Sequence, residues 1–100
     1  MKGNLYMSTR TKEEQERDNK LLVEAARIAV DENKMAISLL QRRLYLGYGR
    51  AAKIVDRLIE LGYVRTSKAE SRPYEVIVTA EQFRADLEKG IVVMPFESEE

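Results

Sequence analysis

The sequence contains no cysteine and no histidine. Without cysteine the chain forms no disulfide and offers no thiol, which fits a reducing compartment. Without histidine a zinc site would rest on carboxylates alone, and acid–base catalysis near neutral pH lacks its commonest group. A GxxxxGK[ST] phosphate loop is also missing, so ATP hydrolysis through that motif is excluded. We therefore predict no enzyme, no catalytic residue, no metal site and no cofactor.

Long apolar runs are missing as well. No stretch approaches the ~20 residues of a membrane span, and the first ten residues lack the apolar centre of a signal peptide. These absences predict a soluble cytoplasmic protein with no membrane partner. The 100 residues fit one domain with a single core, too small for a large internal active site.

The net charge is zero, with 17 basic and 17 acidic residues, but the charges are unevenly distributed. Residues 38–72 contain eight basic and three acidic residues, an excess of five positive charges. The rest of the chain contains nine basic and fourteen acidic residues, so it is negative by five. Local positive charge of this kind is compatible with nucleic-acid binding despite the neutral total.

Residues 36–62 read as two short helices joined by a tight turn. A rotation of about 100° per residue from Tyr48 gives the second of these helices two unlike faces. Its apolar face consists of Ala51, Ile54, Val55, Leu58 and Ile59. Its polar face consists of Arg50, Lys53, Asp56, Arg57 and Glu60. Gly47 is predicted to supply a left-handed turn before this helix, and Gly62 to end it.

Three segments precede this helix. A flexible arm or a frayed helix start is predicted over residues 1–17. The helix that follows is capped by Asp18 or Asn19 and ends near residue 32. Residues 35–37 are apolar and predict a short strand. Ser38 and Gln41 have capping-box spacing, which predicts that the next helix starts at Ser38 and ends near residue 46.

The segments that follow have strand character and then helix character. Strands are predicted at residues 63–65 and 74–78, with a basic loop over residues 66–73 between them. Thr79 and Gln82 again have capping-box spacing, so a helix is predicted to residue 89 with Phe83 and Leu87 facing inward. Gly90 is predicted to end it.

The order of elements predicts a mainly α fold with a small β-hairpin, a winged helix with an added C-terminal helix. The domain is predicted over residues 18–90, and residues 91–100 form an apolar and then acidic tail. The apolar patch 91–96 either packs back on the domain or binds another chain. A helix-turn-helix with a cationic outer face suits the major groove of double-stranded DNA.

Several short motifs together resemble a known family. They are AIS at 36–38, QRR at 41–43, GY at 47–48, RAA at 50–52, Gly62, SRP at 71–73 and EVIV at 75–78. Over residues 18–78 the chain resembles the gamma domain at the C-terminal end of FtsK/SpoIIIE-type DNA translocases. The resemblance implies a winged helix that reads short, oriented, G-rich sites and directs a motor during chromosome segregation. It also implies contact with a site-specific tyrosine recombinase and with the translocase motor.

The family's base-reading positions fall on one helix face: Gly49, Arg50, Lys53 and Asp56. Arg50 is the family residue. Gly49 occupies a position where the family has asparagine, Lys53 one where it has arginine, and Asp56 one where it often has glutamate. Tyr45 and Tyr74 also replace residues that are usually basic. The base-reading set therefore matches the family unevenly.

Further residues are predicted to contact the DNA backbone: Arg42, Arg43, Tyr48, Arg57, Arg65, Lys68 and Arg72. Solubility explains Arg42 and Arg43 equally well. An aromatic residue at a helix start, such as Tyr48, more often packs beneath the turn. Asp56 either accepts a hydrogen bond from cytosine or orients Lys53 or Arg57.

Three functions remain open. The first is a sequence-preferring module for double-stranded DNA without motor activity. The second is a protein-interaction winged helix that docks on a recombinase or a replication protein. The third is a small dimeric transcriptional regulator of a mobile element, with patch 91–96 as its interface. Met1 and the acidic end favour a free-standing protein over a fragment of a motor, and oligomeric state and DNA site are left open.

Overall fold

The computed structural model describes residues 11–69 and 71–95. Within them, four helices and one hairpin follow in the order α1 (Lys12–Glu32), α2 (Ile37–Leu44), α3 (Tyr48–Glu60), β1 (Val64–Thr66), β2 (Tyr74–Val76) and α4 (Ala80–Lys89). The helix α3 packs against α1, α2 and β1. This arrangement confirms the predicted winged helix with an added C-terminal helix.

Helix α1 begins earlier than predicted. Thr11 caps it: its hydroxyl accepts the N–H of Glu14, and the Glu14 carboxylate accepts the N–H of Thr11, both at 3.0 Å. This reciprocal pair satisfies free N–H groups of the first turn, so the polar residues 12–17 are helical without an apolar stripe. Of the two alternatives, residues 12–17 therefore form the start of a helix and not a flexible arm, and residues 1–10 lie outside the described residues.

The entry to α2 also differs from the prediction. The strand predicted at residues 35–37 is wrong: Ala36, not Ser38, is the N-cap, and Ile37 is the first residue of α2. Met35 is apolar because it is buried in the core, at 3% exposure, and Ile37 packs against that core. Burial rather than strand pairing thus explains the apolar run.

The turn after α2 uses an unexpected residue for its left-handed backbone. Tyr45 has φ 57° and ends α2, whereas Gly47 has φ −73° and takes the extended N-cap position of α3. The left-handed conformation predicted for Gly47 is therefore wrong. Left-handed backbone is unfavourable for any residue with a Cβ atom. Here it lets the N–H groups of Tyr45 and Leu46 both donate to the Gln41 carbonyl, which closes the end of α2.

The end of α3 matches the prediction and leads into the wing. Gly62, with φ 79°, donates its N–H to Ile59, and Tyr63 donates its N–H to Leu58, both at 2.9 Å. These two bonds form a Schellman motif. The hairpin is antiparallel with Arg65 opposite Glu75. β2 ends sooner than predicted, because the N–H groups of residues 77 and 78 both donate to the Tyr63 carbonyl.

Helix α4 also contributes to the core. The Thr79 hydroxyl accepts the N–H of Gln82 at 3.1 Å, as half of the predicted capping box, and Phe83 is buried. The prediction that Leu87 faces inward is wrong, since Leu87 is 37% exposed and Asp86 is buried instead. Asp86 is drawn inward because its carboxylate accepts the hydroxyl of buried Tyr63 at 2.7 Å.

The segment 91–95 packs back on the domain. Val92 and Met94 are buried, the Met94 N–H donates to Asn19 Oδ1 at 2.8 Å, and Gln15 Nε2 donates to the Met94 carbonyl at 2.9 Å. Residues 96–100 lie outside the described residues. None of the helices within 11–69 and 71–95 is long and apolar enough to cross a membrane.

Candidate nucleic-acid interface

Helix α3 has the two faces that its sequence predicts. Ala51, Ile54, Val55 and Leu58 are buried at 0–3% exposure against the rest of the domain. The predicted base-reading residues are all exposed: Gly49, Arg50, Lys53 and Asp56. They lie on successive turns of one helix, so their projection from a single face follows from the 3.6-residue period.

Arg50 lies in the first turn of α3 and contacts α1. Its Nη2 donates to Asp18 Oδ1 at 2.7 Å. The Arg50 side chain is still 47% exposed, whereas that of Asp18 is only 17% exposed. The guanidinium is thus anchored on one side and open to solvent on the other.

The neighbouring positions on this face are exposed to solvent. A Cβ atom built on Gly49 would meet no atom of the described residues within 4 Å. A side chain would fit there, so steric hindrance does not explain why glycine replaces the asparagine of the family. Lys53 and Asp56 follow on the next turns with exposed side chains. This face therefore offers two cations and one carboxylate to a ligand.

Arg57 differs from the other residues predicted to contact the DNA backbone. It is half-buried, with its Nε donating to the Val93 carbonyl at 2.8 Å and its Nη1 to Glu60 Oε1 at 3.1 Å. The other six residues of that set are exposed: Arg42, Arg43, Tyr48, Arg65, Lys68 and Arg72. Arg57 therefore holds the C-terminal segment against α3 as well as lying on the cationic face.

Helix α2 and the wing face each other across a cleft of about 530 Å³. Arg42 and Ser38 line it from α2, and Arg72 lines it from the loop between the two strands. Arg43 pairs with Glu32 at the end of α1. Cations of α2 and of the wing thus lie on the two sides of one cleft.

The wing carries one ion pair across its strands. Arg65 Nε donates to Glu75 Oε1 at 3.1 Å, between residues directly opposite in the antiparallel register. This bond raises the pKa of Arg65 and lowers the pKa of Glu75. Both side chains are more than half exposed, so the pair is screened by solvent and contributes little to stability.

Two exposed tyrosines flank the start of α3. Tyr48 is 64% exposed and Tyr45 is 91% exposed. The expectation that Tyr48 packs beneath the turn is therefore wrong. Both phenol rings are accessible to a ligand at the end of α3 where Arg50 lies.

Sequence reasoning missed the partners of the cations. Asp18 is 32 residues from Arg50, and Glu32 is 11 residues from Arg43, so no local spacing indicates either pair. The acceptor for Arg57 is a main-chain carbonyl, which carries no side-chain signal. Asp18 had a local interpretation as a helix cap, a role that Thr11 takes instead.

Comparison with known proteins shows the family of this chain. Residues 16–79 match the family model described as the Ftsk gamma domain. The chain is 43% identical over 61 residues to the DNA translocase FtsK of Clostridium tetani, covering 61% of this chain and 8% of that protein. It is 41% identical over 63 residues to the DNA translocase SftA of Bacillus subtilis, covering 63% of this chain and 6% of that protein.

A longer match is 34% identical over 77 residues to the DNA translocase FtsK of Caldanaerobacter subterraneus, covering 77% of this chain and 11% of that protein. The chain thus spans only a small part of the length of these relatives. The similar region includes α2, α3 and the wing, together with most of α1. Motifs, fold and comparisons agree, and the chain belongs to the FtsK gamma domain family.

Proposed function

We propose that this chain is a cytoplasmic module that binds double-stranded DNA with a sequence preference and has no motor activity of its own. The start of α3 enters the major groove, where Arg50 and Lys53 contact base edges and Asp56 and position 49 adjoin them. The preferred site is G-rich and oriented. A translocase motor and a tyrosine recombinase are its proposed protein partners.

The observation that carries this proposal is the exposed cationic face of α3, backed by residues that are almost completely buried. A helix held in this way can enter the major groove without losing its contacts to the core. Arginine forms two hydrogen bonds with O6 and N7 of guanine, and one such contact contributes ~1–3 kcal/mol of discrimination. The proposal is also supported by the relatives, whose names describe them as DNA translocases.

Backbone contacts come from α2 and the wing in this proposal. The residues are Arg42, Arg43, Tyr48, Arg57, Arg65, Lys68 and Arg72. The ion pairs of Arg43 and Arg65 are exposed and screened by solvent, so a phosphate can replace either carboxylate at little cost. If about five phosphates are neutralised, the slope of log K against log salt is about −4 to −5.

A binding titration tests the reading helix. Arg50→Ala is compared with the wild-type chain on a G-rich duplex and on a scrambled duplex of the same composition. The preference between the two duplexes is expected to fall about tenfold, as for one lost guanine contact. Arg84→Ala is the matched control, since Arg84 is an exposed arginine on α4. Unchanged affinity and unchanged preference in Arg50→Ala would refute the proposed reading role.

A second candidate is a protein-interaction module, and one observation favours it. Leu87 on α4 and Ile91 just beyond the end of α4 are exposed apolar residues, as are Ile77 and Val93. Exposed apolar side chains of this kind suit a docking protein. A gel shift with generic duplex DNA at low salt separates the two functions: no shifted band would favour the protein partner.

A further inference from the structure

We propose that Asp18 is a positioning residue for Arg50 and that it increases the sequence preference of the module. The inference rests on the proposed function, because it concerns how the reading arginine is held. Its basis is the ion pair between α1 and the first turn of α3. Asp18 itself does not contact DNA in this proposal.

The two partners of this pair differ in freedom. Asp18 is mostly covered, with a side chain that is short and 17% exposed. Arg50 is nearly half exposed, and an arginine side chain has much rotamer entropy to lose when it binds a base. The covered carboxylate therefore restricts the exposed guanidinium before any DNA arrives.

The ion pair leaves enough donors for a base. Guanidinium has five N–H groups, and the contact at 2.7 Å uses Nη2 alone. The Nε and Nη1 groups, and the second hydrogen of Nη2, remain for O6 and N7 of guanine. Arg50 can therefore keep its contact with Asp18 while it grips a base, as bidentate recognition requires.

The turn of α1 that carries Asp18 is itself held in place. Its neighbour Asn19 accepts the Met94 N–H, and Gln15 donates to the Met94 carbonyl. Arg57 of α3 donates to the Val93 carbonyl of the same segment. The C-terminal segment thus ties this turn of α1 to α3, and the position of the Asp18 carboxylate relative to α3 is well defined.

The electrostatic effect of Asp18 on affinity has the opposite sign. A carboxylate beside the reading helix repels phosphates, so it weakens binding to any duplex. If Asp18 served only to strengthen DNA binding, a negative charge at this position would be unfavourable. Asp18 therefore lowers the affinity for every duplex and increases the preference for one duplex over another. The two quantities can be measured separately.

The test compares four chains: wild type, Asp18→Asn, Arg50→Ala and the double variant. Two probes are used, the duplex that wild type enriches from a random pool and a scrambled duplex of equal composition. Asp18→Asn is expected to lower the preference about threefold, within the range of a partly exposed ion pair. Its affinity for the scrambled duplex is expected to stay equal or to rise about twofold at low salt, because one negative charge is lost. In the Arg50→Ala background, Asp18→Asn is expected to leave the preference unchanged.

Asp31→Asn is the matched control, since Asp31 is an exposed carboxylate at the far end of the same helix. It is expected to leave the preference unchanged. A second readout needs no DNA: the ¹⁵N order parameter of the Arg50 Nε–H group is expected to fall in Asp18→Asn. If Asp18→Asn does not fold, Asp18→Glu retains the charge, displaces the anchor by one methylene and is expected to lower the preference.

Three results would overturn the inference. One is an Asp18→Asn variant, or its Asp18→Glu substitute, that keeps or raises the preference. Another is an equal loss in the wild-type and Arg50→Ala backgrounds, which would show that Asp18 acts without Arg50. A wild-type chain with no preference for any duplex removes the proposed function and this inference together. If Arg50→Ala lowers the preference and Asp18→Asn leaves it unchanged, the inference alone fails.

Discussion

Removal of one hydroxyl group, in Tyr63→Phe, is expected to destabilise the junction between α3, the wing and α4. Tyr63 is 2% exposed and directly follows the glycine that ends α3. Its hydroxyl donates to Asp86 Oδ2 at 2.7 Å, and Gln82 Nε2 donates to Asp86 Oδ1 at 2.9 Å. Phenylalanine fills the same space but leaves the buried carboxylate with one donor fewer.

The expected loss follows from the chemistry of that bond. Hydrogen bonds to charged groups contribute ~1.5–3 kcal/mol, and an orphaned buried acceptor costs a similar amount. We therefore expect the free energy of unfolding to fall by about 2 kcal/mol at pH 7. For a domain of this size each kcal/mol lowers Tm by about 4–8 °C, so the expected shift is about 8–16 °C.

The burial of Tyr63, together with this bond, makes the stability depend on pH. Burial, followed by the hydrogen bond to Asp86 and the charge of Asp86, raises the pKa of Tyr63 above its ordinary value near 10. Above pH 10 the unfolded chain loses this proton and the folded chain keeps it, so folding becomes less favourable. The contribution is complete below pH 10 and declines by about 1.4 kcal/mol per pH unit as pH rises toward the folded pKa. Tyr63→Phe lacks this decline. The difference in free energy of unfolding between wild type and variant should therefore narrow above pH 10.

Urea unfolding followed by circular dichroism at pH 7, 9, 10 and 11 measures both effects. Tyr45→Phe is the control, because it removes a phenol hydroxyl from a side chain that is 91% exposed and should change stability by less than about 0.5 kcal/mol. The reasoning is refuted if Tyr63→Phe is as stable as the control at pH 7. It is also refuted if the gap stays constant from pH 9 to pH 11.

Three further predictions concern the ends of α2 and α3 and the C-terminal segment. Tyr45→Gly is expected to raise the free energy of unfolding by about 1 kcal/mol, because Tyr45 has φ 57° and its ring is exposed, and a lower urea midpoint would contradict this. Gly62→Ala is expected to lower the free energy of unfolding by about 1 kcal/mol or more. The reason is that φ 79° strains alanine, even though a Cβ atom would meet no described atom within 4 Å. Arg57→Ala removes the bond to the Val93 carbonyl, so hydrogen exchange at the Met94 amide should accelerate. An unchanged exchange rate there would show that Arg57 does not hold the segment.

Local patterns along the chain were enough to predict several elements. The two faces of α3 follow from helical spacing alone, and the structure buries the apolar one. Gly62 and Thr79 act through backbone conformation and capping within their own turns, so their roles can be read from neighbouring residues. The family and the winged-helix fold follow from the same local motifs, while the DNA-contacting residues stay predictions.

Other features depend on residues far apart in the chain, which no local pattern reveals. Asp86 is buried because Tyr63, 23 residues earlier, supplies a donor at 2.7 Å. Tyr45 takes a left-handed backbone where a glycine was expected. The long-range contact that matters most for the proposed function is the ion pair of Arg50 with Asp18, 32 residues away. Periodicity tells which side chains leave the core, but the partner of each exposed cation depends on how the helices pack, since an ion pair needs atoms within a few ångströms of each other.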